Sequence, residues 1–288
     1  MNASVQLTGI TWDHSRALPP LVAAAQRYEE LHPGIRIRWE KRSLHEFGHM
    51  PIDVLADQFD LIVIDHPWAG FCFDRDLIVD LMPLLQTDGT VLPENFIGQA
   101  FQSYHYQGKQ LALPIDLATP VPSWRPDLME KASADLPQTW NDLLDLADGG
   151  LLAMPGFNAD LFLNWSMLLR ALKASPYQDP ERIGDPDPAQ EAMERLKRLA
   201  EPQPDRIYET NPIRLAEWMT QTDEIAYNPF AYSYINYSRP SFTRKPLRFG
   251  NLVSLENGIP LRSILGGTGY AITRTCLNIE AAWAFGKF

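Results

Sequence analysis

The sequence has few cysteines, no long apolar run and fewer basic than acidic side chains. Its two cysteines, Cys72 and Cys276, cannot form a disulfide framework, and neither belongs to a CxxC pair that would hold structural zinc. No apolar segment approaches the roughly 18 residues that a membrane-spanning helix needs. The 25 Lys and Arg against 36 Asp and Glu give a net charge of −11, which disfavours general binding to nucleic acid or anionic lipid. The 288 residues are enough for one large or two ordinary globular domains.

The two ends of the sequence also lack expected features. Residues 1–12 contain neither a basic segment nor an apolar core, so we expect no secretory signal here. Residues 281–288 (AAWAFGKF) stop within an apolar, helix-like pattern that has no cap. We therefore expect a chain that is truncated at its carboxyl end.

The first 65 residues alternate between strand and helix patterns. Residues 5–12 read as a strand, the apolar positions of 18–28 follow helical spacing, and residues 35–40 alternate as in a half-buried strand. A weaker helical pattern over 45–57 precedes residues 60–65, an apolar run typical of a buried parallel strand. This order predicts the α/β class, with a doubly wound sheet that binds ligands beyond the carboxyl ends of its strands.

Polar and aromatic residues follow the first and third of these strands. They are Trp12, Asp13, His14, Asp65, His66 and Trp68. Such a set is suited to acid–base or metal chemistry, to hydrogen bonding with a polar ligand between indole rings, or only to loop capping and core packing. We favour the polar ligand, because binding pockets combine aromatic walls with a few polar groups.

Prolines at five positions interrupt residues 111–137, as at a passage between domains. Helices with cap signals are predicted to start after Thr139, Asp187 and Asn211, the last two with a proline in the first turn, and a further helix is predicted over 161–172. The second half of the chain is therefore expected to contain several helices.

Two later segments are candidates for ligand contact. A short strand predicted over 224–228 leads into residues 227–237, which contain four tyrosines and two asparagines. They could stack on sugar rings or form a packed aromatic cluster, and both interpretations stay open. The glycine-rich residues 266–269 precede a predicted strand over 270–273, which is the wrong context for a phosphate loop. We expect unusual dihedral angles or close approach of a ligand there.

A five-residue segment matches the zinc-protease pattern HExxH, with His45, Glu46 and His49 in the required places. Gly48 weakens the helix that this chemistry needs, Pro51 follows closely, and no histidine occupies the usual third position. We interpret the match as coincidence on a polar surface helix.

Several segments, taken in order, resemble one protein family. They are ITWDH, HPGIRIRWE, DLIVIDHPWAG, LALPIDLATPV, a helix of the form WxxLL and GGTGYAITRTCLNIEAAWAFGKF. In this order and spacing the chain resembles the extracellular solute-binding proteins of bacterial ABC transporters, most of all the group that binds sugars and polyols. The resemblance covers essentially the whole chain.

The resemblance implies a two-lobed periplasmic-binding-protein-like fold. Each lobe would be a doubly wound sheet flanked by helices, and a hinge would let the lobes close around the ligand. Lobe one would comprise residues 1–115 plus 266–288, and lobe two residues 116–265. The chain would cross between them at residues 114–116 and again before Gly266.

The resemblance further implies a monomeric, non-enzymatic periplasmic protein without a cofactor or metal. It would capture a carbohydrate-type ligand, present it to ABC permease subunits and bind no nucleic acid. The implied ligand-binding residues are Trp12, Asp13, His14, Asp65, His66, Trp68, Asp116, Thr119, Asn228, Tyr232, Tyr237, Gly266 and Gly267.

Other functions stay open at this point. A hydrolase could use Asp65 and Asp116 as acid and base, and a zinc enzyme could use His45 and His49. The missing signal and abrupt end also allow a cytoplasmic sensor or a non-functional fragment of a binding protein.

Overall fold

The computed structural model describes residues 5–43, 46, 50–174, 181, 183–255 and 258–288. The chain divides into two compact units, Met1–Leu117 with Leu265–Phe288 (unit 1) and Ala118–Ile264 (unit 2). The first boundary lies at residue 117 instead of the predicted 115, and the second segment of unit 1 begins at residue 265 instead of 266. That the units act as two lobes around a ligand stays a prediction.

The secondary structure is described in chain order. The strands are β1 Val5–Trp12, β2 Ile35–Arg42, β3 Leu61–Asp65, β4 His105–Tyr106, β5 Lys109–Gln110, β6 Leu113–Ala118, β7 Ser123–Trp124, β8 Tyr227–Asn228, β9 Arg248–Phe249, β10 Ser254–Leu255, β11 Ile259–Pro260 and β12 Gly266–Ile272. The α-helices are α1 Leu18–Leu31, α2 Ile52–Ala56, α3 Ala69–Asp74, α4 Met82–Asp88, α5 Pro126–Lys131, α6 Trp140–Asp148, α7 Asn158–Ala171, α8 Pro186–Ala200, α9 Pro212–Gln221 and α10 Ile279–Lys287.

Unit 1 is built on a five-stranded sheet with the order β2-β1-β3-β12-β6. β1 runs parallel to β2 and β3, and β12 is antiparallel to β3. The three strands predicted in the first 65 residues are confirmed. The helical crossovers between them follow from parallel pairing, which a tight hairpin cannot connect.

Helices cover both faces of this sheet. Leu61 of β3 packs in one apolar cluster with residues of α1 and α10, whereas the next residue, Ile62, packs in another with α2 and α3. Successive side chains of a strand point to opposite faces, so a strand buried on both sides is apolar at every position. The predicted doubly wound arrangement is confirmed for unit 1.

The glycine-rich segment differs from its prediction. Residues 266–269 lie inside β12 instead of preceding the strand, and Thr268 and Gly269 pair with Asp65 and Ile64 of β3. A Cβ on Gly269 would lie 2.7 Å from the Tyr104 ring and from Ala112 Cβ. The glycine therefore allows close packing on a strand, a role that glycine content alone does not distinguish from a loop.

Unit 2 has a smaller sheet than unit 1. Its order is β8-β7-β9, each strand has two residues and both of these pairings are antiparallel, while an isolated parallel bridge joins Leu152 to Tyr227 of β8. Pro122 and Pro126 bracket β7, and Pro229 follows β8, which shortens the predicted strand 224–228 to its last two residues. The α/β class of the whole chain is confirmed.

The cap signals of unit 2 are largely confirmed. At α6, Thr139 Oγ1 accepts from the Asp142 amide at 3.3 Å while an Asp142 carboxylate oxygen accepts from the Thr139 amide at 2.8 Å. Asn211 caps α9 in the same way through the Arg214 amide. α8 begins at Pro186 instead of Pro188, because Asp185-Pro186 carries the same signal two residues earlier. The first turn then tolerates the second proline, since its amides have no intrahelical acceptor.

The Arg125 side chain connects the start of α5 to the end of α9 and is only 1% exposed. Its Nη1 donates to the carbonyl oxygens of Met219 and Thr222 at 2.6 and 2.9 Å. The guanidinium also contacts Asp127 and Asp223 at 2.6 and 2.8 Å. One buried cation thus satisfies two carbonyls and two carboxylates.

Replacing this cation should destabilise the protein. We expect Arg125→Met to lower the free energy of unfolding by about 3 kcal/mol, because it leaves buried acceptors without a donor. Urea denaturation measures the change. Arg198→Met is the control, since Arg198 pairs with Asp148 at an exposed site and should cost less than about 0.5 kcal/mol. Equal effects of the two substitutions would contradict the role of Arg125.

Candidate functional site

Three parallel strands of unit 1 end at the same edge of its sheet. β1 ends at Trp12, β2 at Arg42 and β3 at Asp65. In open α/β sheets this edge is where ligands bind. We use the name polar cluster for five side chains of unit 1 that interact near this edge: Arg16, Arg42, Asp65, Tyr104 and Asp116.

Asp65 interacts electrostatically with every other member of the polar cluster. Burial and then the neighbouring Asp116 carboxylate raise the pKa of Asp65 to about 7, although Arg42 and Arg16 act in the opposite direction. Asp65 also contributes to the raised pKa of Tyr104, where burial is the largest cause. Because Coulomb interactions weaken with distance, these mutual effects indicate a compact set of charges.

Two arginines balance the two carboxylates. Arg16 Nη2 lies 3.1 Å from Asp116 Oδ2, and both side chains are mostly buried. Burial raises the pKa of Asp116, and the Arg16 guanidinium partly opposes this. Arg42 is 5% exposed, and burial lowers its pKa to about 10 while Asp65 acts to raise it. Two positive and two negative groups therefore share one partly buried site.

Tyr104 and Gly267 hold the backbone around the cluster. The Tyr104 hydroxyl donates to the carbonyl oxygens of Gly267 and Ile64 at 3.1 and 3.2 Å. Gly267 has φ of +137°, and a Cβ there would lie 2.4 Å from the Asp116 carbonyl oxygen. Only glycine permits this close approach of β12 to the segment that carries Asp116.

The two predicted histidines lie beside the cluster. His14 Nδ1 accepts from the Arg16 amide at 3.1 Å, and burial lowers the pKa of His14. The His66 ring meets the Tyr104 ring edge-on with centroids 6.4 Å apart, and burial lowers its pKa as well. Both imidazoles are therefore mainly neutral at pH 7, where each can donate and accept one hydrogen bond.

The remaining predicted residues of unit 1 differ in exposure. Asp13 is exposed and pairs with Lys41 at 2.8 Å. Trp12 is buried against Val63, whereas Trp68 is half-buried and edge-on to Phe71 at 5.5 Å. Of the two indoles, Trp68 therefore keeps more ring surface accessible. The ligand-binding roles of these residues, and of the half-buried Gly266, stay predictions.

The predicted residues of unit 2 are engaged within their own unit. Asn228 is fully buried, and its Oδ1 accepts from the Phe230 amide at 2.9 Å. Tyr237 is 5% exposed and meets the Phe242 ring edge-on at 5.1 Å. Thr119 Oγ1 donates to the Ile264 carbonyl at 2.8 Å. Their roles in ligand binding also stay predictions.

Tyr232 has an unusual backbone. It is half-buried and has φ of +51°, and the next residue, Ser233, has φ of +49°. The Ser233 hydroxyl donates to the Thr119 carbonyl at 2.9 Å, which holds this turn in place. Left-handed conformations at consecutive non-glycine residues are costly, and such strain is frequent at functional sites. The ligand-binding role of Tyr232 stays a prediction.

Sequence reasoning missed three members of the polar cluster. Arg42 carries a usable signal, because it is the last residue of a strand whose carboxyl end lies at the predicted edge. Arg16 follows the predicted loop by two residues. Tyr104 has no local signal, since the hydroxyl contact with Ile64 joins residues 40 positions apart.

The zinc pattern cannot be assessed, because His45 and His49 lie outside the described residues. Within the ranges that the structure describes, no three His, Cys, Asp or Glu side chains are arranged to hold a metal ion. Cys72 and Cys276 are buried free thiols. Burial raises their pKa values to about 12 and about 11, which makes both weak nucleophiles. None of the helices in those ranges has the length and apolar character needed to cross a bilayer.

Comparisons with known proteins identify relatives. The sequence model of a family described as bacterial extracellular solute-binding protein matches residues 11–288. An ABC transporter solute-binding protein from Agrobacterium radiobacter K84 in complex with ribitol superposes with a TM-score of 0.82 at 20% identity, covering 98% of this chain and 75% of that chain. A search of curated protein sequences found no significant match.

Two further solved structures have the same fold. A solute-binding protein from Thermotoga lettingae TMO bound with alpha-D-tagatose has a TM-score of 0.78 at 19% identity, covering 99% of this chain and 76% of that chain. A solute-binding protein from Agrobacterium vitis S4 with bound D-mannitol has a TM-score of 0.75 at 18% identity, covering 98% of this chain and 72% of that chain.

The polar cluster predicts a pH-dependent stability. Between about pH 4, where an unfolded aspartate titrates, and about pH 7, folded Asp65 binds more protons than the unfolded chain. Stability contributed by this group therefore falls as pH rises through that window. Relative to wild type, the unfolding free energy of Asp65→Asn should increase from pH 5 to pH 8 in denaturant titrations.

Asp13→Asn is the control for this pH series, because Asp13 is exposed and pairs only at the surface with Lys41. Its stability difference from wild type should change little over the same range. If the difference in unfolding free energy between Asp65→Asn and wild type does not change with pH, the raised pKa of Asp65 is refuted.

The close approach at Gly267 gives a second prediction. Gly267→Ala should lower the free energy of unfolding by roughly 2–3 kcal/mol, because the backbone is strained and the Cβ collides with Asp116. Gly34→Ala is the matched control, since a Cβ at Gly34 meets nothing within 4 Å. Thermal unfolding of the two variants compares them, and equal stability would refute the steric argument.

Proposed function

The chain belongs to the bacterial extracellular solute-binding proteins, and we propose that it captures a carbohydrate or polyol and presents it to the permease of an ABC transporter. The observation that carries the choice of ligand is the polar cluster of unit 1. Its partly buried carboxylates and guanidiniums lie near the edge of the sheet where α/β proteins bind ligands.

The chemistry of the cluster suits a ligand with many hydroxyl groups. A hydroxyl both donates and accepts, so it pairs equally with the carboxylates of Asp65 and Asp116 and with the guanidiniums of Arg16 and Arg42. The four charges cancel when all are ionised, which leaves no excess charge to attract an ionic ligand. The polyol or sugar in the three similar solved structures supports this choice.

Aromatic side chains would supply the apolar part of the contact. Trp68, half-buried beside the end of β3, offers ring surface on which the C–H face of a sugar can pack. Tyr232 would do the same from unit 2, where its strained backbone positions the ring.

The resemblance to the family supports a wider proposal. The two units would act as lobes that close on the ligand by a hinge motion, with Thr119, Asn228, Tyr232 and Tyr237 contributed by unit 2. The free energy of closure would come from ligand contacts made on both sides.

We further propose that the protein works in the periplasm as a monomer, without a cofactor. The family is extracellular, and its members are named for binding solutes. The net charge of −11 disfavours nucleic acid as a partner. The ABC permease is the partner that this function requires.

A hydrolase is the second candidate, because Asp65 and Asp116 are paired carboxyls whose pKa values are both raised by burial. We propose binding without catalysis. Incubation of the protein with a bound oligosaccharide, followed by chromatography, tests this point. The ligand should be recovered intact, whereas cleavage that is lost in Asp65→Asn would favour the hydrolase.

A thermal-shift screen tests the binding function. Ribitol, D-mannitol, D-tagatose, D-gluconate and L-glutamate are compared on the wild-type protein. At least one neutral polyol or sugar should raise the Tm by several degrees, because a ligand at 100 times its Kd adds about 2.7 kcal/mol of stability. The two anions should have no effect.

A pair of variants assigns the binding to the polar cluster. Asp116→Asn should abolish most of the ligand-induced shift in Tm. Asp76→Asn serves as the control, because Asp76 forms an exposed ion pair with Arg274 in the same unit and should respond like wild type. A well-folded wild-type protein that no neutral sugar or polyol stabilises would refute the carbohydrate proposal.

A further inference from the structure

The buried face of helix α7 in unit 2 begins with two polar side chains. Asp160 and Asn164 lie one turn apart on the same side of the helix and are 9% and 0% exposed. The same buried side continues with Leu168 and Ala171, which belong to the apolar core of unit 2. A buried helix face that begins with a carboxyl and an amide needs a partner for them.

No such partner is present among the residues that the structure describes. Neither Oδ1 nor Nδ2 of Asn164 has a hydrogen-bond partner there. Burial alone raises the pKa of Asp160 to about 7, with no charged or hydrogen-bonding neighbour acting on it in the described part of the chain. The pair therefore has unused capacity to donate and to accept.

Two other buried polar side chains of unit 2 are satisfied. Ser166, on the same helix, donates to the Phe162 carbonyl at 2.8 Å. Gln203 uses both ends of its amide, accepting from the Met154 amide at 2.8 Å and donating to the Leu199 carbonyl at 2.7 Å. Asn228 uses its Oδ1, whereas its Nδ2 has no partner among the described residues. Asn164 differs from all three, because neither end of its amide has a partner there.

Burying Asp160 and Asn164 without hydrogen-bond partners lowers the stability of the folded protein. A buried polar group without a partner costs about 1–3 kcal/mol, and native proteins contain few of them. A partner from outside the chain removes this cost. We propose that Asp160 and Asn164 bind a hydroxyl group of the transported solute, an inference that rests on the function proposed above.

A hydroxyl group matches the pair chemically. Its oxygen accepts from Asn164 Nδ2, and its proton is donated to Asn164 Oδ1 or to an Asp160 carboxyl oxygen. A metal ion fits less well, because the pair offers one carboxyl and one amide, fewer ligands than Ca²⁺ or Mg²⁺ takes. A permanently bound water has the same hydrogen-bonding chemistry as a hydroxyl, so the experiment must separate the two.

Asp160 and Asn164 have more unused hydrogen-bonding capacity than the residues of unit 2 that were predicted from the sequence. Two residues predicted from the sequence are at least partly engaged. Asn228 Oδ1 accepts from the Phe230 amide, which leaves only its Nδ2 without a partner among the described residues, and Tyr237 packs on Phe242. Asp160 and Asn164 are polar groups of the same unit whose hydrogen bonds are still to be made.

Calorimetric titration of single variants tests the proposal. The probe is whichever of ribitol, D-mannitol and D-tagatose binds wild type most tightly. Asn164→Leu and Asp160→Leu, both close in volume to the original side chains, should each weaken binding at least tenfold. Ser166→Ala, which removes a satisfied buried hydroxyl from the same helix, should stay within twofold of wild type.

Unfolding of the ligand-free variants adds a second readout. Asn164→Leu and Asp160→Leu should be as stable as wild type or more stable, because an unsatisfied polar group is replaced by an apolar one. If either variant fails to fold, the other decides.

Folded Leu variants that bind the probe as tightly as wild type would overturn the proposal and assign an internal water to the pair. If wild type itself binds none of the three probes, the proposed function fails first and the assignment of the pair falls with it. The wild-type titration distinguishes these two failures.

Discussion

The compensation of buried charge near one sheet edge is the constraint on which the rest of unit 1 depends. Asp65 and Asp116 are buried near each other, which is unfavourable unless positive groups balance them. Arg16 and Arg42 supply that balance. The parallel β1, β2 and β3 bring Arg16, Arg42 and Asp65 to one edge of the sheet, and β6 carries Asp116.

Backbone packing supports the same site. Gly267 allows β12 to approach the backbone at Asp116, and the Tyr104 hydroxyl joins the carbonyls of Gly267 and Ile64. A larger side chain at 267 would displace the segment that carries Asp116. The mixed donors and acceptors of the cluster support the proposal of a neutral hydroxylated solute, which agrees with membership of a solute-binding family.

Much of the fold could be predicted from local patterns. The buried strand at 61–65, the capping box at Thr139 and the cap at Asn211 each depend on neighbouring residues only, and all three occur. The prediction that residues 266–269 precede the strand was wrong, because Gly269 fits against Tyr104 and Ala112, which are distant in sequence. The strands of unit 2 are shorter than local pattern indicates, because prolines interrupt them and leave two-residue pairings and isolated bridges.

The sequence by itself determined the α/β class, the main strands and helix starts, and Asp65 at a strand end, since periodicity, caps and strand ends are local properties. Asp116 was named only through the resemblance to the family. The tertiary structure alone decided which charges meet. Arg42 and Tyr104 join Asp65, whereas Asp13, adjacent in sequence to the predicted Trp12, pairs with Lys41 at the surface. Electrostatic compensation and the satisfaction of buried hydrogen bonds act through space, so residues far apart in the chain determine them together.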